Sequence, residues 1–159
     1  MSVMKPENVA DYPRPPAIEP FSGSVQVRFN GELIADTNEA FRILETYHPP
    51  TFYLPLASFK PGVLVASKGP ATMCEWKGQA SYFDIISGDA IARRAAWTYR
   101  KPDPRYSALT GHVALYAEPM DEVLVNGERV LPQPGNFYGG WVTHNISGPI
   151  KGQPGTTHW

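Results

Sequence analysis

The sequence predicts a mainly β fold, and three observations carry that expectation. Proline (17 residues) and glycine (14) make up about a fifth of the chain and recur throughout, which leaves long helices little room and turns many places. Two Asn-Gly pairs, Asn30-Gly31 and Asn126-Gly127, each sit between short runs of alternating polarity, the signature of a hairpin closed by a type I′ turn. The remaining apolar runs are brief and bounded by prolines, as at Pro49, Pro50, Pro55 and Pro61.

In chain order, Met1 to Pro20 reads as an extended proline-rich arm, because Asp11-Tyr-Pro-Arg-Pro-Pro16 cannot run as helix. Residues 21–134 read as a single β domain. In its first hairpin, Val25–Phe29 and Glu32–Ala35 flank the turn, with Val27 expected opposite Ile34 and Arg28 opposite Leu33. Thr37 is expected to cap one helical turn through Phe41. Short strands follow at Ile43-Leu44, Phe52–Leu54, Val63–Val65, Thr72–Trp76 and Ala80–Ile86, with another at His112–Tyr116. Residues 91–97 fit helix and strand equally poorly. The second hairpin, Glu122–Val125 and Glu128–Leu131, closes the domain, and residues 135–159 form an irregular tail. The tail aromatics Phe137, Tyr138 and Trp141 either pack back on the domain or meet another copy of the chain.

Lys and Arg number 14 against 15 for Asp and Glu, a balance that gives no general attraction to nucleic acid or anionic lipid. Cys74 is the single cysteine, so no internal disulfide forms, and a reducing compartment, the cytoplasm, is expected. The first twenty residues lack the apolar core of a signal peptide, and no apolar run approaches membrane-spanning length. No cofactor is expected. Lys151 lies among glycines but precedes Gly152 and Gln153, which does not match a phosphate loop. His48, His112, His144 and His158 are scattered, without metal-ligand spacing.

The residues able to do chemistry gather in the middle of the chain. Glu45 and His48 are the best acid and base pair, or a loop ion pair. Cys74 and Lys77 bracket Glu75 and Trp76. A thiol beside an ammonium is a nucleophile, whereas a thiol in apolar surroundings is inert packing, and strand alternation brings the two together only if the turn at Gly78 swings Lys77 inward. The aromatic residues Tyr53, Trp76, Tyr82, Trp97 and Tyr99 either line a pocket for a planar ligand or fill a core.

Several of these segments, Leu44-Glu-Thr-Tyr-His-Pro-Pro-Thr-Phe-Tyr-Leu-Pro55, Cys74-Glu-Trp-Lys-Gly78, Ala96-Trp-Thr-Tyr99 and Phe137-Tyr-Gly-Gly-Trp141, with Asp11–Pro16 and Ala35–Thr37, together resemble domain-of-unknown-function family 427. Members of that family typically have proline where this chain has Glu75. The resemblance implies a β-tent, a pair of antiparallel sheets meeting at an angle, here without the four-cysteine zinc site of many β-tent proteins. The expected function is therefore a small-molecule-binding β domain with a pocket between the sheets. In that reading Glu45, Cys74 and Lys77 are the reactive groups, and His48, Tyr53, Trp76, Tyr82, Trp97 and Tyr99 hold the ligand. Two alternatives stay open: a Cys-dependent or nucleotidyltransferase-like enzyme, and an interaction module or homodimer acting through arm and tail.

Overall fold

A computed structural model describes residues 4–74, 76–135 and 138–153; Glu75, Phe137, His158 and Trp159 lie outside the described residues. The strands are β1 (Glu7–Asn8), β2 (Ala17–Pro20), β3 (Val25–Phe29), β4 (Glu32–Thr37), β5 (Phe41–Leu44), β6 (Thr51–Pro55), β7 (Leu64–Ala66) and β8 (Thr72–Cys74). They continue with β9 (Gly78–Ser87), β10 (Ala90–Thr98), β11 (His112–Leu115), β12 (Glu122–Val125), β13 (Glu128–Arg129), β14 (Leu131–Pro132), β15 (Trp141–Val142) and β16 (Ile146–Ser147). Helix among the described residues is confined to 3-10 turns at Val9–Asp11, Leu56–Ser58 and Pro104–Leu109. No helix among the described residues is long and apolar enough to cross a membrane.

The fold is mainly β, as the proline and glycine pattern requires. A large antiparallel sheet runs in the order β2-β5-β6-β11-β10-β9-β7, with β8 also paired to β9, and a smaller one runs β13-β12-β3-β4. Both hairpin turns place Asn and Gly in the left-handed region, with φ of 53° and 75° at Asn30-Gly31 and 51° and 81° at Asn126-Gly127. Arg28 lies opposite Leu33, but Val27 lies opposite Ala35 rather than Ile34. The cause is a bulge: one extra residue in β4 lets both Ile34 and Ala35 turn inward, and both are buried. The helical turn expected after Thr37 does not form. The Thr37 hydroxyl accepts the Glu39 amide in a local bend, and Phe41 begins β5, opposite Pro20 and Tyr53.

Residues 90–98 form a strand with a second irregularity. Ala92 pairs with Ile85 and Ala96 with Phe83, so three residues of β10 face Asp84 alone. Arg94, at φ 52°, donates its amide to Asp84 Oδ1 at 2.9 Å. The inserted residues break the alternation, which is why neither period shows in the sequence.

Alternation along the strands creates two cores, one on each face of the large sheet. Phe52 and Leu54 of β6, Val113 and Leu115 of β11 and Ile85 of β9 meet Val25, Val27, Ile34, Val123 and Val125 of the small sheet. Tyr53, Ala114 and Trp97 point the other way, into a second cluster with Ile43, Tyr99, Tyr106 and Leu109.

Arm and tail close over the second face. Residues 17–20 of the arm form the edge strand beside β5, and the Tyr106 hydroxyl donates to the Pro16 carbonyl at 2.7 Å. Arg42 of β5, 8% exposed, binds both Glu7 and Glu19 of the arm. Because both carboxylates keep some contact with water, Arg42→Met is expected to cost about 1–2 kcal/mol rather than the larger loss of a fully buried pair, measurable by urea denaturation. In the tail, β16 pairs in parallel with β1, and β15 pairs with β14.

Candidate functional site

Each predicted site residue is brought to one cavity by its strand or turn. Glu45 and His48 come from the turn after β5, closed by the His48 amide donating to the Glu45 carbonyl at 3.0 Å, with Tyr47 at φ 69°. Pro49 and Pro50 then return the chain to the extended form that starts β6, which aims Tyr53 at the second face. Tyr82 of β9 and Trp97 of β10 are paired neighbours on adjacent strands, and so share that face, ring centroids 6.4 Å apart. Tyr99 lies just beyond β10, its ring centroid 6.3 Å from that of Tyr53.

The β8–β9 hairpin places the thiol and the amine. Cys74 is opposite Gly78, whose φ of 111° is open to glycine, and the Lys77 carbonyl accepts the Asp103 amide at 2.9 Å. This turn swings Lys77 inward, so Cys74, Trp76 and Lys77 all line the cavity that also takes in Glu45, His48, Tyr53, Tyr82, Trp97 and Tyr99. The volume is about 310 Å³.

The cavity does not lie between the sheets, where it was expected. The space between them is filled by the aliphatic and aromatic residues of the first core, while strand period two sends Tyr53, Tyr82 and Trp97 to the opposite face. The tail, the turn after β5 and the β8 hairpin supply the walls that a second sheet was expected to give.

Further lining residues escaped the sequence reading: Tyr116 after β11, and Gln133, Tyr138, Gly139 and Lys151 toward the C-terminus. Tyr116 was legible in principle, since it continues the alternation of Ala114. Gln133 gives no sequence signal, yet it is 3% exposed and organises the wall. Its amide nitrogen donates to the Lys151 carbonyl at 2.8 Å and to His48 Nδ1 at 3.0 Å, and its oxygen accepts the Gly140 amide at 3.1 Å. A side chain at Gly139 would overlap the Trp97 indole, so the tail backbone passes flush against that ring.

These contacts fix protonation states. The Gln133 amide donates, so His48 Nδ1 accepts and the ring proton resides on Nε2, 3.7 Å from Glu45. Burial, then the positive charges of Lys151, Lys77 and Arg14, hold the His48 pKa down to about 4, so the ring is neutral at pH 7. Glu45 is also paired with Arg14 of the arm at 3.6 Å. Burial opposes the Lys77 ammonium, but the facing Tyr53, Cys74 and Glu45 outweigh it and hold the amine above its ordinary range, so Lys77 is charged. The ammonium lies 5.7 Å from the Tyr99 ring centroid. Burial, with Tyr53 and Cys74 alongside, keeps the Tyr99 phenol protonated.

The arrangement thus offers one buried cation, several phenol donors, a half-buried thiol and flat aromatic walls. Among the described residues no three His, Cys, Asp or Glu side chains gather as a metal site would need. A second hollow of about 580 Å³ lies across Tyr116, Gln133 and Tyr138, bears Arg93 and Arg94, and holds none of the nine predicted site residues.

Comparison with curated proteins returns no match. The stretch from Ala17, where β2 begins, to Asn126 in the second hairpin turn supplies most of the cavity floor. It matches the family model described as Domain of unknown function (DUF427), and with well over half of its length covered the chain belongs to that family.

Proposed function

We propose that the protein binds a small organic molecule in the cavity on the outer face of the large sheet. The observation that carries this reading is the convergence of Lys77, Cys74, Glu45 and His48, from separate segments, on one hollow walled by Tyr82, Trp97 and Tyr99. The volume, about 310 Å³, is at the small end for ligand sites. Thermal-shift screening against a metabolite library tests the reading. A true ligand at a hundred times its dissociation constant should raise the unfolding midpoint by about 5–10 °C. The shift should vanish in Tyr82→Ala, which opens one wall. A library without a single such compound counts against the reading.

A second reading, Cys-dependent chemistry, is favoured by one fact: Cys74 lines the same cavity as the charged Lys77. It requires the Cys74 thiol to react with iodoacetamide at pH 7 faster than free cysteine, and Lys77→Met to slow it to the free rate. Nucleotidyltransferase chemistry has less support, because Glu45 is the one carboxylate among the described lining residues and Arg14 already occupies it. Arm and tail spend Tyr12 and Trp141 inside the chain, which weakens the reading as an interaction module.

A further inference from the structure

We infer that the ligand is a small organic anion, its carboxylate seated on the Lys77 ammonium and its planar body lying along Trp97 and Tyr82. The inference rests on the binding reading above and deepens it.

Lys77 is only 9% exposed, yet no described side chain gives its ammonium a salt bridge or a hydrogen bond. Tyr53, Cys74 and Glu45 act on this ammonium without touching it, so a cation at the wall of an open cavity keeps its contact position for an anion supplied from outside. Glu45, the described carboxylate nearest in role, is engaged by Arg14 at 3.6 Å and faces the His48 ring at 3.7 Å.

Tyr53 adds a second, independent observation. Its hydroxyl is sealed from solvent and has no well-formed hydrogen bond, although it interacts with both Tyr99 and Lys77. A buried hydroxyl whose hydrogen bonding is incomplete is rare in a native fold, and here it stands beside the Lys77 charge. The ammonium calls for an oxygen with lone pairs, which a carboxylate supplies.

The surrounding field agrees. Lys151 and Arg14 join Lys77 around His48, and these positive charges help to keep that ring neutral. A cationic ligand would meet the same repulsion, and a neutral one would leave the Lys77 ammonium with no ion in contact. The walls add aromatic surface: Trp97 packs 4.8 Å from Tyr116 and 6.4 Å from Tyr82, centroid to centroid, with the rings tilted by 49° and 43°.

The test is a matched series of benzoate, benzamide and benzylamine, with indole-3-carboxylate and its carboxamide as the larger pair, titrated calorimetrically into the intact protein and into Lys77→Met. On wild type, at least one carboxylate is expected to bind about tenfold or more tightly than its amide, with the amine weakest, as a desolvated charge pair demands. In Lys77→Met that preference should collapse. Amide or amine binding as tightly as the acid overturns the inference while leaving the binding reading intact, as does a carboxylate preference that survives in Lys77→Met. The wild-type comparison stands even if the variant does not fold. Silence from every probe also overturns the inference, and the library screen then decides the binding reading separately.

Discussion

Trp141→Ala is expected to cost about 3–5 kcal/mol, as truncation of a fully packed aromatic does. Trp141 is 1% exposed and stacks on Phe52, ring centroids 5.1 Å apart and planes within 13°. Its indole nitrogen also donates to the Leu115 carbonyl at 3.2 Å, between two strands of the large sheet. Truncation therefore removes packing from the core between the sheets and frees the tail segment that carries Gly139 and Lys151. Trp141→Phe keeps most of the ring and should lose only about 1 kcal/mol for the hydrogen bond. Urea denaturation of the two variants checks both numbers, and a loss below 1 kcal/mol in Trp141→Ala would show the indole to be peripheral.

Acid is expected to weaken the fold through His48. The unfolded chain takes up this proton near pH 6.5, whereas the folded protein resists until about pH 4. Between those values the unfolded state binds more protons, so stability rises with pH across the window and is lost as pH falls through it. At about 1.4 kcal/mol per pH unit, the contribution lost from pH 6.5 to pH 4 is about 3 kcal/mol. Lys151, Lys77 and Arg14 supply the positive charge around the ring and Glu45 the negative, with the Gln133 amide in hydrogen-bond contact at Nδ1. His48→Asn keeps an acceptor for Gln133 and cannot titrate. Its stability should be flatter than wild type from pH 6.5 to pH 4 in parallel denaturation series, the difference isolating His48 from the carboxylates that titrate in both proteins. Equal slopes would sink the assignment.

Much of the fold was legible because its signals are local. Asn30-Gly31 and Asn126-Gly127 announce their turns through a backbone conformation few other pairs accept. The bulges at Ile34-Ala35 and at Arg94 were not legible, since each depends on how one strand meets another. The candidate residues were found by type: a thiol, an amine, an acid and aromatic rings near one another in the chain. Their side of the sheet was misplaced because alternation gives relative orientation and leaves open which face the smaller sheet covers. Lys151 was considered only as part of a phosphate loop, and Gln133 passed unnoticed, because both reach the cavity through contacts that cross 85 residues or more of chain, as Gln133 to His48 does.

The parallel pairing of Glu7–Asn8 with Ile146–Ser147 ties the arm to the tail. Joining segments near opposite ends of the described chain carries a large loop-closure entropy, repaid by the two-residue ladder together with the Asn145 amide on the Lys5 carbonyl, the Arg42–Glu7 pair and the packing of Val9 with Ile146 and Ile150. Contacts so distant in sequence are expected to consolidate after the local hairpins. Slow exchange of β6 and β11 amides beside faster exchange at residues 7 and 147 is the expected signature of a clasp that opens before the sheets do.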